Sequence, residues 1–221
     1  MSDFAAPVRN EAPATRQTRF DSLDIAYDER VLEPRHWTAH QASWAVELLQ
    51  SAPSGPILEL CCGAGQIGLL TARLSGRPLI MVDRSEPACA FARANAYRAG
   101  LSVEVRHGPM EVVLDPTEQF AMVVADPPWV PSPQTTRFPE DPISAIDGGT
   151  DGLAIARICL MVIERHLSAG GSAVLQVGPD GQAQTLQAEL TASAQPVLRI
   201  VGQRSFGTRG VLLHLQRAAS P

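Results

Sequence analysis

The chain has 221 residues, 45% of them apolar and 19% charged, with a formal net charge of −5. That is enough chain for one α/β domain whose core needs neither disulfides nor metal. All 18 basic residues are arginine, and the absence of lysine excludes a Schiff-base enzyme and a P-loop NTPase, while the acidic balance offers nucleic acid no general attractive field.

Residues 1–18 mix Ala, Pro, Arg and Thr without periodicity, which predicts a mobile tail. Segment 19–55 is expected to form a hairpin and a helix capping a ligand site. Within it, 22–34 alternates apolar and polar residues, and Trp37, Gln41, Trp44 and Leu48 share one stripe of a helix over about 36–50. From 56 to 221 strands alternate with helices. Strand 57–60 precedes helix 66–75, strand 78–82 precedes helix 86–99, and strands 103–106 and 120–125 follow. A Pro-rich loop over 127–143 leads to helix 151–168, strand 172–177, helix 182–193 and strands 197–201 and 211–215. The pattern predicts a doubly wound, seven-stranded, mostly parallel α/β sheet. The last connection, 202–210, is too short for a crossover, so the last strand should run antiparallel.

Where the first sheet strand meets its helix, Gly63, Gly65 and Gly68 form G-x-G-x-x-G, and Asp83 ends the next strand. Glycines let backbone approach a ligand closely, and a carboxylate at that strand end suits ribose hydroxyls, so a nucleoside cofactor is predicted. NAD and S-adenosylmethionine both fit the loop. Glu59, just ahead of it, favours S-adenosylmethionine, because a carboxylate repels a pyrophosphate and attracts an ammonium or sulfonium.

The fourth strand runs into Asp126-Pro127-Pro128-Trp129. Two prolines stiffen the turn. The Asp126 carboxylate and the Pro127 carbonyl can accept both hydrogens of a planar NH2 group, and Trp129 offers a flat face for stacking. Holding both N–H bonds aims the nitrogen lone pair at an electrophilic methyl. Asp126, Pro127 and Trp129 are the candidate catalytic residues.

On these residues the sequence resembles class I S-adenosylmethionine-dependent methyltransferases, and within them the release-factor glutamine N5-methyltransferase group, in its short archaeal/eukaryotic-type form. Four anchors carry the resemblance over about residues 31–178: Val31 to Thr38, the glycine loop with Asp83, Asp126 to Pro131, and Gly148-Gly-Thr-Asp-Gly-Leu153. It implies a cofactor set of Glu59, Cys61, Gly63, Ala64, Gly65, Ile67, Asp83 and Arg84, with Thr38 and Asp126. It departs from the group at Cys61, where a glycine is common, and at Asp126, where Asn is typical. A carboxylate cannot donate to an amide carbonyl as Asn can. The implied acceptor is therefore a protein glutamine or similar planar amine, with an rRNA or DNA amino group or a small-molecule amine as alternatives. An NAD-dependent oxidoreductase and a cofactor-binding protein without turnover are the rivals of another class.

The remaining features are expected to be structural. His36 and His40 have metal-like spacing without further ligands, so no metal is predicted. Cys61, Cys62, Cys89 and Cys159 show no CxxC pattern, and the adjacent pair reads as packing residues. Trp37 and Trp44 read as core, and Arg137 and Phe138 as gripping residues of a lid over 131–142. Without a leader or a membrane-length apolar run, the chain reads as cytoplasmic.

Overall fold

The computed structural model describes residues 13–179, 181–193 and 197–217. β1 (Arg16–Phe20) and β2 (Leu23–Tyr27) form an antiparallel hairpin. The tail expected over 1–18 therefore stops short of Arg16, which pairs with Tyr27; residues 1–12 lie outside the described residues. α1 (Ala39–Leu49) follows a short turn over His36–Thr38 and buries Gln41, Ala42, Trp44, Ala45 and Leu49; the expected stripe holds at Gln41 and Trp44, while Leu48 is half-buried and Trp37 lies in the preceding turn.

β3 (Ile57–Leu60), α2 (Gln66–Ser75), β4 (Leu79–Asp83), α3 (Glu86–Arg98) and β5 (Val103–His107) form the first half of the main sheet. α3 starts at Ser85, whose hydroxyl accepts from Ala88 N, and stops at Gly100, where Leu101 N bonds back to Ala96 O. α4 (Met110–Val113) is a single turn, and β6 (Phe120–Ala125) is buried on both faces as a central parallel strand must be. α5 (Ile143–Ile146) and a short turn over Ser132–Arg137 give the Pro-rich loop more structure than its composition suggests. α6 (Ala154–His166), β7 (Leu167–Val177), α7 (Gln182–Ala192), β8 (Leu198–Ser205) and β9 (Val211–Arg217) complete the chain. β7 starts earlier than the apolar run at 172–177, because Leu167 pairs with Phe120 before the strand bulges and resumes at Ser172 opposite Met122.

The seven strands lie in the order β5-β4-β3-β6-β7-β9-β8, parallel except for β9, which is antiparallel to both neighbours. The doubly wound sheet with an antiparallel C-terminal strand is thus as predicted. Strand order reverses between β3 and β6, so the crevice at their carboxyl ends is where such sheets bind ligands. One apolar cluster, including Ile57, Met81, Val124 and Val174, packs beneath α1, α2 and the hairpin. The other, including Leu58, Leu60, Val123 and Leu175, packs beneath α6 and α7. Among the described residues no helix is long and apolar enough to cross a membrane.

Asn95 of α3 ties the hairpin to the glycine loop. Its Oδ1 accepts from Ala26 N at 2.8 Å, and its Nδ2 donates to Ala26 O and Ala64 O, both at 2.9 Å. Asn95→Ala would leave three buried backbone groups unpaired, each worth about 1–3 kcal/mol. A Tm lower by about 5–15 °C in a thermal melt is expected; an unchanged Tm would show that these three bonds contribute nothing to stability.

Candidate functional site

The carboxyl ends of β3, β4 and β6 bring three acidic side chains to one end of the sheet. Glu59 belongs to β3 and is 2% exposed, so it is not a solvated strand-end charge. Its Oε1 accepts from Gly68 N at 2.9 Å. That N–H is one of the unpaired donors of the first turn of α2, so Glu59 caps the helix from a neighbouring strand. Glycine at 68 leaves room for this, since a Cβ there would meet the Glu59 carboxylate. Oε2 is itself buried without a partner. Burial pushes the Glu59 carboxyl up to about 8, opposed by the Gly68 bond and assisted by Asp83 and Asp126.

Asp83 closes the glycine loop. Its Oδ2 accepts from Gly63 N and its Oδ1 from Ser85 N, both at 2.8 Å. Burial raises its pKa, and these backbone bonds oppose the rise. Each oxygen keeps a lone pair for another donor. Gly63 and Gly65 have φ of 52° and 85°, and Cys61, at the glycine-favouring position, also sits at a φ of 56°. The left-handed backbone costs a non-glycine residue about 1 kcal/mol. The thiols of Cys61 and Cys62 are both held protonated, Cys61 by its hydrogen bond with Cys159 and then burial, Cys62 by burial. They pack rather than react, as expected. The side chains of Ala64 and Ile67 belong to the core, leaving only backbone for a ligand, and Arg84 is exposed.

β6 ends in the Asp126-Pro127-Pro128-Trp129 turn, which lines a cavity of about 440 Å³ with Thr38, Trp37, Arg35, Phe138, Gln176 and Arg209 among others. Thr38 therefore shares this cavity with Asp126, Pro127 and Trp129, whereas the glycine loop, Glu59 and Asp83 are not among its lining residues. Among the described residues nothing hydrogen-bonds the Asp126 carboxyl, and burial alone pushes it up to about 7.

The turn is held by groups that sequence reasoning missed. Gln41, fully buried on α1, donates through Nε2 to Ala125 O and Val174 O, both at 2.9 Å, clamping β6 to β7 just before Asp126. Gln182 donates to Trp129 O at 2.8 Å and accepts from Gly178 N at 2.7 Å. The segment Gly148–Gly152 packs directly on the turn: a Cβ at 148 would lie 2.7 Å from Pro128 O, and one at 152 only 2.3 Å from Trp129 O. This close approach is a physical reason for its glycines.

Two other expectations change. Trp44 is core, but Trp37 lines the cavity, with the Arg35 and Arg209 guanidinium carbons 5.9 and 5.5 Å from its ring centroid. Phe138 reaches the cavity, whereas Arg137 is exposed and bonds Gln134. The loop is anchored instead through Arg35, whose Nη2 lies 2.6 Å from Asp141 Oδ1. His40 stacks on Phe206, and among the described residues no cluster of three metal-ligating side chains exists.

A doubly wound sheet with a glycine-rich turn after its first parallel strand and an acid after its second defines a nucleoside-cofactor protein. Residues 42–170 match the methyltransferase small domain family, and the chain belongs to that family. A release factor glutamine methyltransferase from Gloeobacter violaceus is 36% identical over 163 residues, covering 70% of this chain and 57% of that protein. A ribosomal protein uL3 glutamine methyltransferase from Burkholderia pseudomallei is 29% identical, covering 74% of this chain and 58% of its own. The chain thus spans under two thirds of both relatives' length. Among solved structures, the hMettl16 catalytic domain in complex with an RNA hairpin superposes with a TM-score of 0.71 at 16% identity, over 88% of this chain and 74% of that one, a likeness of fold.

Proposed function

We propose that the chain is an S-adenosylmethionine-dependent N-methyltransferase acting on a planar NH2 group, foremost a protein glutamine. The observation that carries this reading is the Asp126 carboxyl, unpartnered in a cavity at the end of β6, beside a glycine loop flanked by two further acids. The residues fit the cofactor: strand ends that gather Glu59, Asp83 and Asp126 suit a cationic ligand and would repel a pyrophosphate. Glu59, Asp83 and the backbone of Cys61, Gly63, Ala64, Gly65 and Ile67 would hold it, with Thr38 and Arg84 at its margins. S-adenosylmethionine supplies, when bound, an electrophilic methyl on a sulfonium centre.

Asp126 and the Pro127 carbonyl accept the two N–H bonds of the acceptor, and Trp129 packs on its plane. This fixes the nitrogen lone pair toward the cofactor side and contributes by positioning. The hairpin and α1 cap the cofactor side of the crevice. The names of the relatives support a protein acceptor, and the net charge of −5 weighs against a nucleic-acid one.

The test is transfer of tritiated methyl from S-adenosylmethionine to a release factor and to ribosomal protein uL3 from the same source. Alkali-stable label on a glutamine is the expected result. Label confined to RNA would overturn the protein acceptor.

A further inference from the structure

Asp126 leaves one need of a glutamine side chain unmet. A primary carboxamide presents two N–H donors and one carbonyl acceptor, and an ionised carboxylate next to a backbone carbonyl can satisfy only the donors. The cavity must therefore hold a donor elsewhere, or the amide oxygen would be desolvated without a partner.

The strand register singles out one side chain. Ala125 of β6 pairs with Leu175 of β7, which puts Asp126 and Gln176 at the next step along neighbouring strand ends. Val124 and Val174 belong to one core cluster, while Ala125 and Leu175 belong to the other. By the two-residue alternation of strands, Asp126 and Gln176 then share the face of Val124 and Val174, beneath α1. Gln176 is 5% exposed and lines the same cavity as Asp126. Among the described residues no side-chain hydrogen bond engages its amide.

Of the other side-chain donors of the cavity, the Trp129 indole belongs to the ring assigned to the plane of the acceptor, and the rest are committed or displaced. Thr38 Oγ1 bonds Arg35 O at 2.8 Å. Arg35 is paired with Asp141. Trp37 Nε1 lacks a partner, but it has no exposed surface through which a ligand could reach it. Thr208 and Arg209 are exposed at the rim, on the connection between β8 and β9.

We infer that Gln176 donates to the carbonyl oxygen of the acceptor amide, so that Asp126 and Gln176 together read a primary carboxamide rather than a simple amine. This rests on the methyl-transfer reading above and adds the residue that reads the carbonyl half of the acceptor amide. The carboxyl from β6 takes the NH2 group, and the amide from β7 takes the C=O. A simple amine would leave the buried Gln176 amide unpaired, which is how such sites reject analogues.

The experiment uses the full chain with a release-factor peptide containing a single glutamine, and compares wild type, Gln176→Ala, Gln176→Glu and each of these combined with Asp126→Asn. Gln176→Ala and Gln176→Glu should lower kcat/KM about 10- to 100-fold, with S-adenosylmethionine affinity by calorimetry and Tm nearly unchanged. Asp126→Asn should restore most of that loss in both backgrounds, because an amide at 126 can accept from the NH2 group and donate to the carbonyl. Unchanged kcat/KM in Gln176→Ala, or no rescue by Asp126→Asn, overturns the assignment while leaving methyl transfer standing. No transfer to glutamine by wild type overturns the reading on which it rests.

Discussion

Asp126→Ala is expected to lower kcat/KM at least about 100-fold, while S-adenosylmethionine affinity measured by calorimetry stays within about threefold. The expectation follows from the placement of Asp126 in the acceptor cavity, which neither Glu59 nor Asp83 lines. Hydrogen bonds to a charged acceptor are worth about 1.5–3 kcal/mol each. Losing one that orients the reacting nitrogen costs more than its binding energy, since the lone pair is no longer held in line. The loss should therefore fall on kcat more than on KM. A variant that keeps wild-type turnover would remove Asp126 from the chemistry. One that loses cofactor binding equally would place its role on the other side of the crevice.

Alkaline pH should destabilise the unliganded chain, with Glu59 as the main source. Burial pushes the Glu59 carboxyl up to about 8 and the Asp126 carboxyl up to about 7. Both groups bind protons more tightly in the folded chain than in the unfolded one, so stability falls with rising pH wherever only the folded state stays protonated. Their contribution is complete below the ordinary carboxylate range and is lost as pH rises through about 7 for Asp126 and about 8 for Glu59. A Tm lower by about 4–8 °C at pH 8.5 than at pH 5.5 is expected from thermal melts. Glu59→Gln should flatten much of that slope and weaken cofactor binding about 10-fold or more, because a neutral amide cannot pair with a cationic ligand. Saturating S-adenosylmethionine should reduce the fall in wild type by favouring the ionised carboxyl. A flat melt profile in wild type would mean that both carboxyls are already ionised in the folded chain.

The two carboxyls also bear on the missing lysines. With no lysine in the chain, Glu59 Oε2 has no lysine with which to pair, and among the described residues no arginine reaches it. The carboxyl is therefore held protonated in the unliganded chain near neutral pH, and a cationic ligand nearby favours its ionised form.

What the sequence determined by itself was everything encoded by short-range periodicity and turn chemistry. Apolar runs at 57–60 and 120–125 are strands buried on both faces, the helix expected over about 36–50 is α1 with Gln41 and Trp44 of its stripe buried, and Gly100 ends α3. The glycine loop, Asp83 and the Asp126 turn were equally legible, because strand ends, tight turns and the carboxylates beside them lie within a few residues of one another. The tertiary structure alone decided which polar residues on otherwise apolar faces support or complete the site. Asn95 meets partners 69 and 31 positions away, and Gln41 meets carbonyls 84 and 133 positions away. Nothing local marks these amides, since each is one polar residue in an apolar pattern and its partner is set by strand order. The same holds for Gln176, which reads as an ordinary strand residue until β6 and β7 pair and place it beside Asp126. A buried amide needs a partner in the folded chain, and only the packing of distant strands settles whether that partner is protein or substrate.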